Sequence, residues 1–389
     1  MNNNSLNNIP SVINCPHNTR CFTFLPETPT YIIIGTCNGT VHLFNWENEA
    51  LLLSHSLPFS VSASSTTTTT QIINILPLCN YTNHLLIQSR GGIIFICSYS
   101  LSPHSINVIT TINTLIETFC KCIYINNTIF IPHEKENEIK LITLNDNKHS
   151  ECIKKVYFTS DVDENASDSD DDDDNDDNDD TLPKKALICG IVNNDNEYIA
   201  TAFENGVVAL YSANNNMTYY THCKVYEKKI EAIITIYLFT INNIQYICVG
   251  MFSTTIVLLQ VTSTNNIYNI TKYKSIHNVC SSLKEGISAI CYVDCGILQN
   301  DILNDDDDDT TNTTEQSKFL IVGGYDNRIK FYQISTTNNT STLLNFNDIG
   351  NININGNSII NQIQTYHYNN NTYLFICSEQ HSFYIYLIA

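Results

Sequence analysis

Apolar residues along this chain fall into short, nearly continuous runs. Each is followed by a turn containing Gly, Asn or Asp and then by a second, alternating run. Seven such strand–turn–strand units can be laid out: Tyr31–Phe44, Leu85–Cys97, Thr128–Ile142, Tyr198–Tyr211, Tyr246–Leu259, Phe319–Tyr332 and Tyr373–Tyr386. The fourth has the plainest hairpin signal, Asn205-Gly206 between two apolar strands. Successive units start 54, 43, 70, 48, 73 and 54 residues apart. The two widest gaps hold the two acidic runs described below. Without them the period approaches the ~40–45 residues of a four-stranded propeller blade. Further strand candidates precede several hairpins (Cys21–Leu25, Ala186–Cys189, Ile287–Tyr292 and Ile359–Ile363) and read as innermost strands. No long segment has helical periodicity bounded by caps. The pattern predicts an all-β, seven-bladed β-propeller over residues 10–389.

A propeller exposes a strand edge unless its ring closes. Only three residues follow the seventh hairpin, so the last blade is expected to take its outer strand from Pro10–Asn14, ahead of the first inner strand. Residues 1–9 are Asn-rich and are expected to be disordered.

Charge changes the picture through its distribution. The 389 residues hold 39 Asp and Glu against 19 Lys and Arg, a net charge of −20. Residues 161–180 contain 13 of the acids and no Lys or Arg, and residues 301–309 contain six more. These two runs account for all but one unit of the net charge, so the remainder is almost neutral. Like charges at this density repel and offer nothing to bury, so 161–180 and 301–316 are expected to be disordered inserts. Direct nucleic-acid binding is disfavoured because it needs clustered Lys and Arg. Basic proteins are the better-matched partners for the inserts.

The fifteen cysteines lack CxxC pairs, and several sit in apolar runs (Cys97, Cys189, Cys248, Cys291, Cys377), as reduced, buried thiols do. The first ten residues lack the basic and apolar regions of a secretory signal. The longest apolar stretch, Ile230–Ile241, falls short of the ~20 residues of a membrane span. A soluble protein of the nucleus and cytoplasm, without membrane association, is expected. The eleven histidines form no HExxH and no zinc-spaced cluster, and neither a GxSxG elbow nor a phosphate-binding glycine loop is present. No metal, cofactor or enzymatic activity is expected.

The hairpins resemble WD repeats whose signature has eroded: Trp46 is the only tryptophan, and no Trp-Asp dipeptide occurs. Within that class the chain resembles the ASTRA-associated WD-repeat proteins, called guanine nucleotide-binding protein beta subunit-like in animals. Val322–Tyr332 (VGGYDNRIKFY) is similar to that family's penultimate-blade pattern, with Tyr325 in place of Trp. Ala202–Tyr211 (AFENGVVALY) and Gly35–Phe44 (GTCNGTVHLF) resemble its mid-chain and first-blade patterns. The resemblance covers nearly the whole length and implies a WD40-type β-propeller acting as a non-catalytic scaffold of the ASTRA complex. It also implies work with the Tel-Tti co-chaperone in maturing PI3-kinase-related kinases, and a link to chromatin regulation. The alternatives are a histone-binding WD protein and a Gβ-like signalling adaptor.

Asp326 follows Gly323-Gly324-Tyr325 and precedes Arg328, where an Asp commonly fixes the hairpin by accepting hydrogen bonds. Tyr325 and Arg328 are candidates for protein contact, with Asp326 between them. Ser160, Ser167 and Ser169 each have an acid three residues downstream, similar to casein-kinase II substrates, and are candidate phosphorylation sites. Because the strand pattern resumes after the first acidic run, deleting residues 161–180 is expected to leave the thermal midpoint nearly unchanged. Loss of soluble protein on deletion would contradict that reading.

Overall fold

The computed structural model describes residues 10–59, 70–156, 186–295, 317–336, 344–354 and 359–388, apart from residues 134, 146–147, 195–196, 215, 227–229, 266, 278, 280–285, 370 and 380–381. The acidic runs and the three candidate serines lie outside the described residues.

The first strand, β1 (Ser11–Asn14), belongs to the last sheet. Blade 1 follows as β2 (Thr19–Phe24), β3 (Tyr31–Thr36), β4 (Thr40–Asn45) and β5 (Ala50–Ser56). Blade 2 is β6 (Ile72–Pro77), β7 (His84–Ser89), β8 (Ile93–Leu101) and β9 (His104–Asn113). Blade 3 is β10 (Ile123–Ile125), β11 (Thr128–Pro132), β12 (Glu138–Asn145) and β13 (Lys148–Lys155). Blade 4 is β14 (Ile188–Asn194), β15 (Tyr198–Phe203), β16 (Val207–Ser212) and β17 (Tyr219–Lys224). Blade 5 is β18 (Ile233–Ile241), β19 (Ile244–Met251), β20 (Ile256–Thr264) and β21 (Ile267–Ile276). Blade 6 is β22 (Ile287–Cys295), β23 (Ser317–Gly324), β24 (Arg328–Thr336) and β25 (Leu344–Asn353). Blade 7 is β26 (Ile360–Tyr368), β27 (Asn371–Ser378) and β28 (Ser382–Leu387), completed by β1. All pairings are antiparallel, and no helix occurs among the described residues.

The seven units read from the sequence are the second and third strands of the seven blades. One inner strand is displaced. Ala186, expected inside it, lies in the connection before β14, where its N–H donates to the Asn137 side chain of blade 3 at 3.1 Å and its carbonyl accepts the Asn137 N–H at 3.0 Å. Those bonds tie it to the preceding blade, and the strand starts at Ile188.

The core is divided into seven apolar clusters, one at each blade–blade interface. Alternation along a strand explains this arrangement. In β15, Ile199 and Phe203 face blade 3, while Tyr198, Ala200 and Ala202 face blade 5. A strand buried on both faces reads as a continuous apolar run, which is why the middle strands were conspicuous in the sequence.

Closure occurs where β1 pairs with β28, Ile13 opposite Phe383 and Val12 opposite Tyr384. The seam between blades 7 and 1 is rich in aromatic rings: Phe22 meets Phe383 edge-on at 4.9 Å, Phe24 stacks on Tyr366 at 4.5 Å, and Trp46 packs against Tyr373 at 5.0 Å. Polar bonds reinforce it. Gln362 brackets Phe22, donating to its carbonyl at 3.1 Å and accepting its N–H at 3.2 Å, while Thr19 donates to Ser378 O at 2.7 Å.

Six of the seven innermost strands carry a bulge at the same place, at Arg20, Ile73, Cys189, Ile234, Ser288 and Asn361. The residues around these bulges stitch neighbouring inner strands together. Ser288 donates to Ile360 O (2.6 Å), Asn361 to Thr19 O (2.9 Å) and Asn74 to Cys122 O (2.9 Å). Thiols act similarly, Cys120 toward Ile188 O at 3.0 Å. The inner strands thereby surround a central channel. Close approach also demands glycine at Gly323, where a Cβ would stand 2.7 Å from the Ile360 side chain of the next blade. Replacing Gly323 by Val overpacks that interface and is expected to lower unfolding stability by about 1–3 kcal/mol, measurable by denaturant titration.

Candidate protein-interaction face

The up-and-down order of the strands gives the ring two unlike faces. Turns between second and third strands, and connections from one blade to the next, emerge on one face, called upper here; the remaining turns emerge on the lower face. Val156 and Ala186, the described residues on either side of the first acidic run, are on the upper side, whereas Cys295 and Ser317, flanking the second, are on the lower side.

Twelve large apolar side chains are exposed among the described residues. Seven lie on strands, mainly outer ones. The other five, Leu115, Phe119, Ile230, Phe252 and Tyr325, are carried by loops, and every one of those loops is on the upper face. Single exposed apolar residues are ordinary, but their confinement to one face makes that face the candidate contact surface.

These side chains are presented by an ordered backbone. In the connection from blade 2 to blade 3, Thr114 donates to Gly92 O through both its N–H (2.8 Å) and its hydroxyl (2.7 Å), and Thr118 N–H donates to Arg90 O. The Arg90 guanidinium lies over the Phe119 ring at 3.6 Å from its centroid and 3.8 Å from the Glu117 carboxylate. Phe119 is therefore held in place although 70% exposed. Leu115, 78% exposed, adopts a φ of 60°, a left-handed conformation uncommon for a non-glycine residue, with its N–H bonded to Asn113 Oδ1. In blade 5 the N–H of Phe252 donates to Ala232 O, and Glu231 accepts the Ser253 N–H at 2.7 Å.

Of the residues singled out from the sequence, Tyr325 joins this face. Its N–H donates to Gly286 O, and its ring lies so close to Gly286 that a Cβ there would stand 2.6 Å from it. Partial burial, and then the Glu379 carboxylate, push its phenol pKa up. Asp326 turns inward, Oδ1 accepting the Arg328 N–H at 3.3 Å as an Asx turn does. Arg328 starts β24 opposite Asn353 and is half-buried. Across the seam Arg20 and Glu379 form an ion pair at 2.6 Å. Phe119 and Phe252 lie outside the strands and so leave no mark in the strand pattern; an aromatic residue at a turn position is the sequence signal they carry.

The described cysteines are all free: Cys97, Cys248, Cys291 and Cys377 are buried, Cys189 is half-buried, and Cys79 and Cys152 are exposed. Burial pushes the Cys97 thiol up to about 12. No group of three or more His, Cys, Asp or Glu placed to hold a metal occurs among the described residues.

No family model matches the sequence, and no curated protein matches it. Solved structures do resemble the fold. Raptor from Chaetomium thermophilum superposes with a TM-score of 0.63 at 11% identity, over 98% of this chain and 29% of the Raptor chain. The β-propeller domain of Cps50 (Swd1) from Myceliophteria thermophila gives 0.64 at 10% identity over 98% of this chain and all of that domain. U3-55K gives 0.59 at 10% identity over 97% and 98%. The fold is that of the WD40-type β-propellers. This chain spans less than a third of Raptor, and identities near 10% establish fold alone.

Blade 1 also carries a buried histidine near this face. His42 Nδ1 bonds Ser54 Oγ at 2.9 Å, and burial, then neighbouring His17, hold its pKa down at about 4. Above pH ~6.5 the ring is neutral in both folded and unfolded chains. As pH falls from there to about 4 only the unfolded chain takes up the proton, so stability is lost across that window, by up to about 3 kcal/mol. His42→Gln is expected to remove this component of the stability–pH profile, measured by urea unfolding at several pH values.

Proposed function

We propose that this propeller is a non-catalytic scaffold that receives protein partners on its upper face. The observation that carries the reading is that all the loop-borne exposed apolar side chains lie on that face. Aromatic anchors held by their own backbone bonds cost little entropy on binding, which favours Phe119, Phe252 and Tyr325 as contact residues. Arg328, at the same β23–β24 hairpin as Tyr325, belongs to the same candidate surface. A standard interface of ~800 Å² per partner fits on such a ring.

The finer reading places the protein in an ASTRA-type assembly, with the Tel-Tti co-chaperone and PI3-kinase-related kinases as partners and a link to chromatin regulation in the nucleus and cytoplasm. It is supported by the resemblance of Val322–Tyr332, Ala202–Tyr211 and Gly35–Phe44 to that family.

Affinity purification of the tagged full chain from its native cells tests both levels. Phe119→Ala with Phe252→Ala removes exposed rings and the Arg90–Phe119 contact and is expected to lower stability by no more than about 1 kcal/mol, while abolishing partner capture. Undiminished capture would remove the upper face as the interface. Tel-Tti proteins among the captured partners, and kinase levels that fall on depletion without loss of transcript, are expected of the ASTRA reading. Partners without Tel-Tti and unchanged kinase levels would overturn that reading and leave the scaffold.

A further inference from the structure

The channel inside the ring carries a charge pattern opposite to that of the chain as a whole. Each bulged residue follows a buried one and is itself partly exposed, lining the channel near its upper end. Blade 3, whose short β10 has no bulge, contributes Lys121, exposed between buried Cys120 and Cys122. The charged members of this collar are Arg20 and Lys121, both cationic in a chain of net charge −20.

Lys121 does not stay against its own blade. Its Nζ lies 3.5 Å from Gln362 Oε1 on β26 of blade 7, three blades away around the ring, so the side chain spans the channel. Gln362 Oε1 already accepts the Phe22 N–H, so among the described residues the ammonium has one long, shared acceptor for its three donors. Arg20 has Glu379 at 2.6 Å, but Lys121 enters no ion pair among the described residues. The groups that bear on it electrostatically are the Cys21 and Cys377 thiols. Burial pushes Cys21 well up and Cys377 up to about 12, so both are neutral and supply no counter-charge. Surrounded by protein yet reached by water, Lys121 has its own pKa lowered, chiefly by desolvation. Arg20, Glu379 and Lys121 together leave one uncompensated positive charge.

We infer that the upper end of the channel is an anion site in which Lys121, with the Gln362 amide and the Arg20–Glu379 pair beside it, receives one carboxylate or phosphoryl group of a partner protein. The inference rests on the upper-face reading and adds the chemistry recognised there. Phe119, two residues before Lys121, is exposed on the same upper face, so a partner segment with an apolar side chain near an acidic one meets an aromatic anchor and a cation together. In the confined channel a charge-assisted bond to Lys121 is stronger than it is in bulk water.

The test uses the full chain with its lysines 13C-methylated and read by NMR, the Lys121 signal being assigned by its loss in Lys121→Met. Two probes are titrated, the blocked tripeptide acetyl-Ala-Glu-Ala-amide and inorganic phosphate, with the Ala-Gln-Ala tripeptide as the neutral control. A saturable shift of the Lys121 signal with either anionic probe, absent with the control and not shared by other lysines, is expected, and the responding probe identifies the group. No saturable shift with either, or equal shifts at all lysines, would overturn the inference. In the native purification, Lys121→Met is expected to reduce capture by roughly tenfold or more. Capture lost in the Phe119/Phe252 variant but intact in Lys121→Met would overturn the anion site while keeping the upper-face interface. Capture indifferent to both changes, with a Lys121 shift present, would remove the interface and keep the site.

Discussion

Every sheet in this protein is apolar on both faces, and only a closed ring buries them all. An open stack of the same blades would leave two terminal sheets with a bare apolar face each. The seven interface clusters have no common centre; each joins two neighbours, so stability depends on every junction being made. The junction between blades 7 and 1 joins residues more than 300 positions apart, as Gln362 to Phe22 and Thr19 to Ser378 show. Its aromatic packing and double-ended amide bond offset the chain entropy that such a long closure costs. β1 completes that blade by covering β28 from Ser382 to Ile385.

Closing seven flat-faced blades around an axis crowds their inner strands. The bulges answer that crowding: each adds a residue that turns toward the channel and frees neighbouring backbone groups for bonds to the next blade. Ser288, Asn361, Asn74 and Cys120 take up those bonds. The bulge in β2 places Arg20 beside Glu379 at the upper end of the seam, and Lys121 reaches Gln362 of the same blade from across the ring. Thus a device that belongs to the fold places one of the two cations, while the other, Lys121, comes from the blade whose inner strand has no bulge.

The two faces differ because the connections between blades all run on one of them, which gives the upper face longer segments that can carry aromatic side chains without disturbing strand pairing. The 114–122 connection shows how such a segment becomes a presented surface: Thr114, Arg90 and Glu117 fix its course, and Phe119 and Leu115 are left outward. Some lower turns are tight, as at Asn126-Asn127 and Asn242-Asn243, where both residues adopt positive φ.

By itself the sequence determined the seven central hairpins and, through them, the number of blades. The hairpins were legible because a strand buried on both faces is written as an unbroken apolar run, as in Tyr198–Phe203, and because Asn205-Gly206 supplies the positive φ of 78° that the turn requires. The donation of Ser11–Asn14 to the last blade was legible too, since an unpaired edge near Phe383 needed a partner. The outer strands and β10 were not, because half-exposed strands such as β17 and β25 lack a continuous run. Tertiary structure alone decided which side chains meet. Nothing in the local pattern distinguishes Lys121 from any surface lysine, and only ring closure brings it to Gln362, 241 residues away. Likewise Leu115, Phe119, Ile230, Phe252 and Tyr325 are scattered over more than 200 positions, and they share a face because each lies at the same end of its blade. Periodicity records how a strand is buried, while a site assembled from loops depends on the ring that orders them.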